Sequence, residues 1–255
     1  MAGIGIAAAG QIHPDTQAVV YAPNLSWQDV PLKARLQARF NLPLWVENDV
    51  RAAAWGEFRF GAGRGAQSLV AVFVGTGVGS GAIFGGHLWR GAFNAAGEIG
   101  HTQVVPDGIP CGCGQRGCLE AYCSGRGFIR RFEIALAAGA STTLRARTGA
   151  EASKLTAFQV AEAAAEGDPI AREFWEDAVR YFGLALTNVV TLLNPERLVL
   201  GGGVVETLPV LVEAVTTAIQ ARATVMARGV TVHRAALGDW AGAVGAAALA
   251  AELTE

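Results

Sequence analysis

The chain has 255 residues, 51% of them hydrophobic and only 16% charged, with a formal net charge of −2 at pH 7. That length holds one large domain or two modest ones, and the apolar share is ample for a packed core. Low charge with high hydrophobicity excludes a disordered chain, and the lack of a basic field argues against nucleic acid as a partner.

No apolar run reaches the ~20 residues that span a bilayer. The apolar start, Met1–Gly10, has no basic n-region and breaks at Gln11, so it does not read as a signal peptide. No membrane partner and a cytoplasmic location are the expectations. The 33 glycines are near twice the usual share and show no collagen-like period, which predicts glycine turns.

Gly3–Gly10 reads as a buried strand running into a glycine turn. A core strand so near a terminus is unusual and predicts an upstream segment beyond this sequence. Asn24-Leu-Ser-Trp27 leads into a helix over Val30–Phe40, with Leu32, Leu36 and Phe40 on one face. Leu44–Val46 is a short strand ended by Glu47-Asn48-Asp49, and a helix follows over Val50–Phe60. A polar triplet there can bind a ligand, as the carboxyl ends of strands do in open α/β sheets, or simply cap the helix.

Ser68–Val74 is a strong strand, followed by Gly75-Thr-Gly-Val-Gly-Ser-Gly81 and the apolar Ala82-Ile-Phe84. Backbone N–H groups in such a turn can cradle phosphate. A dinucleotide fingerprint needs strand–turn–helix, whereas here strand follows strand. His87 reads as an exposed turn residue.

After Glu120 a helix is predicted to Ala138, and Gly139–Ser153 reads as a mobile connection. Thr156–Glu166 and Pro169–Leu193 read as helices, the second ended by Pro195. Arg197–Leu200 is a strand entering Gly201-Gly-Gly203. Leu208–Arg222 is a helix, Val230–His233 a strand and Ala241–Leu253 an Ala-rich helix. Strands alternating with helices give an α/β class.

The densest chemistry lies in Gly97-Glu-Ile-Gly-His101, nine residues, then Cys111-Gly-Cys-Gly-Gln-Arg-Gly-Cys-Leu-Glu120. His101, Cys111, Cys113 and Cys118 can fill a tetrahedral Zn²⁺ shell. Four cysteines in a chain this long do not make a disulfide scaffold, and Cys123 reads as buried. Glu98 and Glu120 are carboxylates the metal does not need. One reaction uses all these parts: Asp49 deprotonates a sugar hydroxyl, which attacks the γ-phosphate of a nucleotide held at Gly75–Gly77 and Gly201–Gly203.

These segments resemble the ROK sugar-kinase family. The Gly97–His101 and Cys111–Glu120 stretches look like its signature, and Glu47-Asn-Asp49 like its catalytic segment. Pro23–Leu32, Trp55–Arg64 and Leu237–Ala246 are similar to its bacterial glucokinase members. The resemblance covers essentially the whole chain. It implies an α/β, actin/hexokinase-type (ribonuclease H-like), two-lobed fold, with residues 1–65 and 241–255 in a small lobe and 66–240 in a large one.

It also implies ATP with Mg²⁺, a structural Zn²⁺ and a hexose substrate, glucose first. Asp49 would be the base, with Asn48, Asp49, Glu98, His101 and Glu120 on the sugar. His101 would bind zinc through one ring nitrogen and face a hydroxyl with the other. Gly75, Thr76 and Gly77 would face the phosphates, and Gly202 and Gly203 the adenosine. A homodimer or homotetramer is implied as well.

Two departures qualify the match. The family's opening Asp-x-Gly-Gly-Thr motif is absent from the sequence, and Phe93-Asn94 stands where Asn-Gly is usual. A sugar binder or regulator with impaired catalysis, a kinase for N-acetylmannosamine or fructose, and a polyphosphate donor stay open from the residues.

Overall fold

The structure, a computed structural model, describes residues 3–252. The chain opens with β1 (Ile4–Ala8), then a meander of β2 (Gln11–Ile12), β3 (Val19–Ala22) and β4 (Trp27–Val30). Helix α1 (Leu32–Gln37), β5 (Leu44–Asn48) and α2 (Asp49–Phe60) follow. Strands β1 and β5 are parallel, with Ala8 opposite Asn48. The antiparallel meander is a difference from expectation: Trp27–Val30 pairs with β3, and the predicted Val30–Phe40 helix is shorter. Val30 precedes Pro31, and a residue before proline is pushed from helical to extended backbone.

The second sheet begins with β6 (Leu69–Val74), β7 (Val78–Phe84) and β8 (His87–Trp89). After the cysteine loop come α3 (Glu120–Cys123), α4 (Gly125–Ala137), α5 (Leu144–Thr148), α6 (Ala157–Ala165) and α7 (Pro169–Leu193). The chain then adds β9 (Arg197–Gly201), α8 (Gly203–Thr207), α9 (Val210–Arg222), β10 (Thr231–Arg234) and α10 (Ala241–Ala251). The sheet order is β10-β9-β6-β7-β8, with β9 parallel to both β6 and β10.

Strand β6 is apolar throughout because both its faces are covered. Val70, Val72 and Val74 pack with Phe128, Phe182 and Leu186 from α4 and α7. Leu69 and Ala71 face the other way, toward Trp55 of α2 and Leu249 of α10. This is the two-residue alternation of a strand. The last helix thus returns to pack on α2 and β1. A Cβ on Gly245 would stand 1.7 Å from the Ala52 carbonyl oxygen, so small residues are what allow α10 to lie against α2.

Three further segments differ from expectation. The helix after Glu120 breaks at Ser124, whose side chain leaves the helix to accept the Gly127 N–H and cap α4. Residues 139–153 contain α5, anchored by the wholly buried Leu144, and are not a bare connection. The helix expected over Leu208–Arg222 begins at Val210 after Pro209, and an unexpected short helix, α8, precedes it at the glycine turn. Leu253 of the predicted final helix lies outside the described residues.

Candidate functional site

The first site element is the junction of β5 and α2. Asn48 caps α2: its Oδ1 accepts the N–H groups of Val50 and Arg51 at 3.1 and 3.0 Å. Its Nδ2 donates to the Gly10 carbonyl and to Asp49 Oδ1, each at 3.1 Å. Both amide hydrogens are therefore used within the protein, and Asn48 orients Asp49 as well as the helix.

Asp49 Oδ1 accepts the Val50 N–H at 3.0 Å as well as the Asn48 amide. Burial raises the Asp49 carboxyl above the usual aspartate range, against the pull of the Val50 amide and the charge of Arg51. A partly buried strand-end carboxylate with raised basicity suits a general base.

The second element is the start of β7, residues Val78–Ser80, on which three predicted site segments meet. The Val78 N–H donates to Glu120 Oε2 at 2.9 Å. Gly100 packs so closely on the Val78 carbonyl that a Cβ would sit 2.1 Å from its oxygen. Ser80 binds the Gly97 carbonyl through both its N–H and its hydroxyl, at 3.0 and 2.7 Å. Val50, next to Asp49, lies against Gly79. The start of β7 is thus the platform that brings the strand-end carboxylate, the Glu98 segment and Glu120 together. Glu98 itself is exposed.

The glycine turns lie beside this platform. Gly75–Gly77 follows β6 directly and Gly202 follows β9, at neighbouring ends of parallel strands, the usual place for ligands in such sheets. The Gly75 and Thr76 carbonyls accept the N–H groups of Gly125 and Arg126 at 2.9 and 3.2 Å, which ties the turn to the start of α4. Gly202 has φ +86° and a Cβ there would meet Val74 backbone atoms at 2.5 Å, so only glycine fits. Thr76 and Gly203 are exposed.

The third element is the cysteine loop. The ligand atoms of His101, Cys111, Cys113 and Cys118 all lie within 4.8 Å of one another. Cys113 and Cys118 Sγ atoms are 3.7 Å apart, and Cys111 Sγ is 3.8 Å from His101 Nδ1. Zn–S bonds of about 2.3 Å in a tetrahedron set sulfur atoms about 3.8 Å apart, so the donor set fits zinc. Burial, with neighbouring Cys113 and Cys111, pushes the Cys118 thiol up to about 12; thiols so crowded need a cation to ionise together. His101 Nδ1 faces the cluster, which leaves Nε2 to face outward. Cys123 is buried and donates to the Ala178 carbonyl, apart from the cluster.

Sequence reasoning named Glu47 only as part of the polar triplet and passed over Arg51 and Arg90, its charged partners. Glu47 is 1% exposed and paired with Arg51 and Arg90. A Glu–Arg pair four residues apart across a strand–helix junction was the available signal.

The sequence profile of the ROK family matches residues 1–253. The chain belongs to the ROK family. Its relatives include a glucokinase from Streptomyces coelicolor, 39% identical over 211 residues, which cover 78% of this chain and 64% of that protein. The chain therefore spans under two thirds of that relative's length. A xylose repressor from Bacillus subtilis is 30% identical over 86% of this chain and 53% of its own length.

Among solved structures, a ROK family glucokinase from Streptomyces griseus in complex with glucose and AMPPNP superposes with a TM-score of 0.79 at 37% identity. That match covers 98% of this chain and 81% of the other. The ROK fold here is of the actin/hexokinase type, as the resemblance implied.

Proposed function

We propose that this ROK protein transfers the γ-phosphoryl group of ATP to a hexose, glucose first. The observation that carries the reading is the convergence on Val78–Ser80: the Asp49 junction, the Glu98 segment and Glu120 meet there, next to two glycine turns. Asp49 takes the proton of the attacking hydroxyl. Glu98, Glu120 and the outward nitrogen of His101 hold the other hydroxyls, since ionised carboxylates only accept and hydroxyls donate. Asn48 acts on the sugar chiefly by fixing Asp49.

The turns at Gly75–Gly77 and Gly202–Gly203 receive the phosphates and the adenosine, because phosphoryl transfer demands positioning above all. Mg²⁺, bound with the nucleotide, would supply charge neutralisation at the phosphates. His101, Cys111, Cys113 and Cys118 would hold zinc, which would stiffen the loop that carries Glu98 and Glu120. Residues 1–65 with 241–255 form one lobe and 66–240 the other, and the active form is a homodimer or homotetramer in the cytoplasm.

The names of the relatives support a kinase acting on glucose. The likeness to a xylose repressor favours a second reading, a sugar-responsive regulator without turnover.

ADP release from MgATP with a panel of hexoses tests the proposal. Turnover led by glucose, with the phosphate on the 6-hydroxyl, is expected. Preference for fructose or N-acetylmannosamine would change the substrate, and polyphosphate in place of ATP the donor. A folded chain that binds sugar yet turns over none would favour the regulator.

A further inference from the structure

We propose that Glu47 and Arg51 are positioning residues that hold the loop leading to Glu98 in register with Asp49, and so set hexose affinity and orientation. This inference rests on the reading of Asp49 and Glu98 as sugar-site residues.

Glu47 is the next-to-last residue of β5, so its side chain points away from that of Asn48. Its carboxylate is 1% exposed and serves three elements at once. Oε1 accepts Arg51 Nε at 2.9 Å and the Asn48 N–H at 3.0 Å, while Arg51 Nη2 lies 2.8 Å from it as an ion-pair contact without hydrogen-bond geometry. Oε2 accepts Arg90 Nε at 2.7 Å. Arg51, itself 3% exposed, extends the tie: Nη1 donates to the Asn94 carbonyl at 2.7 Å.

The Arg90–Asn94 loop is closed by Ala96 N–H on the Arg90 carbonyl at 3.0 Å. It is pinned below by Asn94 Nδ2 on the Ile12 carbonyl at 2.6 Å. Gly97 and Glu98 come next in the chain. One ionic tie therefore has the Asp49 helix turn at one end and the Glu98 approach at the other.

The physics favours positioning over mere cohesion. A guanidinium that donates from two of its nitrogens to two different partners, Nε to Glu47 and Nη1 to the Asn94 carbonyl, is fixed in angle as well as distance. Arg51 therefore links the Glu47 carboxylate to the loop, so turning the helix turn turns the loop. Beside Glu47 and Arg90 lies a cavity of about 170 Å³, bounded also by Trp45 and His13. That space lets Arg90 and its loop move when the tie is cut, and is roomy enough for water to solvate the freed charges. The expected consequence is displacement of Glu98 with the fold retained. Misplacement by about 1 Å costs on the order of 100-fold in such sites.

The test is steady-state kinetics and direct glucose binding by Arg51→Met and Glu47→Gln, with circular dichroism to confirm folding. Both variants are expected to raise the glucose KM about 10- to 100-fold and to lower kcat, with the MgATP KM unchanged. Arg51→Lys keeps the charge but cannot reach Glu47 and the Asn94 carbonyl together. It should recover part of the loss, and it serves where Arg51→Met does not fold.

Folded variants with wild-type glucose KM and kcat would overturn the proposal. So would an equal loss for glucose and MgATP, or a loss that merely tracks the folded fraction. A wild-type chain that neither binds nor phosphorylates any hexose would instead overturn the functional reading, and this inference with it.

Discussion

Gly77 sits in the turn assigned to the nucleotide, yet its substitution is predicted to damage sugar binding. A Cβ at position 77 would stand 2.5 Å from Glu120 Oε2 and 3.4 Å from its Cδ. Contacts that short force a shift, and the atom that must yield is the tip of a flexible side chain, so Gly77→Ala should still fold. The yielding oxygen is the one held by the Val78 N–H at 2.9 Å.

Losing a hydrogen bond to a charged acceptor costs about 1.5–3 kcal/mol. If Glu120 holds the sugar only in that pose, hexose affinity falls by about 10- to 100-fold, at 1.4 kcal/mol per factor of ten. Glucose KM and Kd, measured beside the MgATP KM, read this directly. A glucose affinity within about twofold of wild type, or a loss confined to MgATP, would refute the coupling of Glu120 to the turn.

Two further outcomes are expected. Cys113→Ser should lower bound zinc and weaken glucose binding together, because the loop that loses its ligand carries Glu98 and Glu120; full metal stoichiometry in the variant, by atomic absorption, would contradict the ligand set. Asp168→Ala should destabilise the fold by about 2 kcal/mol, the upper end for a lost helix cap, since Asp168 caps α7 at Ala171 N–H and also binds Thr142 and Thr143.

That second loss should depend on pH. Burial pushes the Asp168 carboxyl up, but the donors of Ala171, Thr143 and Thr142 outweigh it and hold it below the usual range. A folded-state pKa below the unfolded value of about 3.9 gives stability that is full above that value and fades as pH falls through the folded one. Urea titrations should therefore show the wild-type advantage at pH 7 shrinking below about pH 4; a constant difference would contradict it.

Elements with strong local signals were legible in the sequence. Pro169–Leu193 is one helix, with Asp168 at its start and Asn194 in left-handed backbone at its end. The four zinc-type ligands converge as their spacing predicts. Elements decided by tertiary contact were not legible. The Trp27–Val30 strand exists because β3 lies beside it, and α5 because Leu144 finds a core.

The site shows the same division. Asp49 stood out as a carboxylate at a strand end, but the sequence did not reveal that Asn48 spends both donors on Gly10 and Asp49. Nor did it show Val78–Ser80 as the common platform, because backbone N–H and C=O groups leave no mark on residue identity. The Glu47 tie was hidden for another reason. Arg90 and Asn94 are over forty residues away, and periodicity within one element cannot link them.

The measurement that tests the proposed chemistry most directly is Asp49→Asn, assayed for phosphoryl transfer and for glucose binding in the same preparation. Asparagine keeps the size of the side chain and the acceptor that Asn48 and Val50 bind, but cannot take a proton from a hydroxyl. Turnover should be abolished while glucose affinity stays near wild type. Retained turnover, or loss of binding equal to the loss of turnover, would contradict Asp49 as the base.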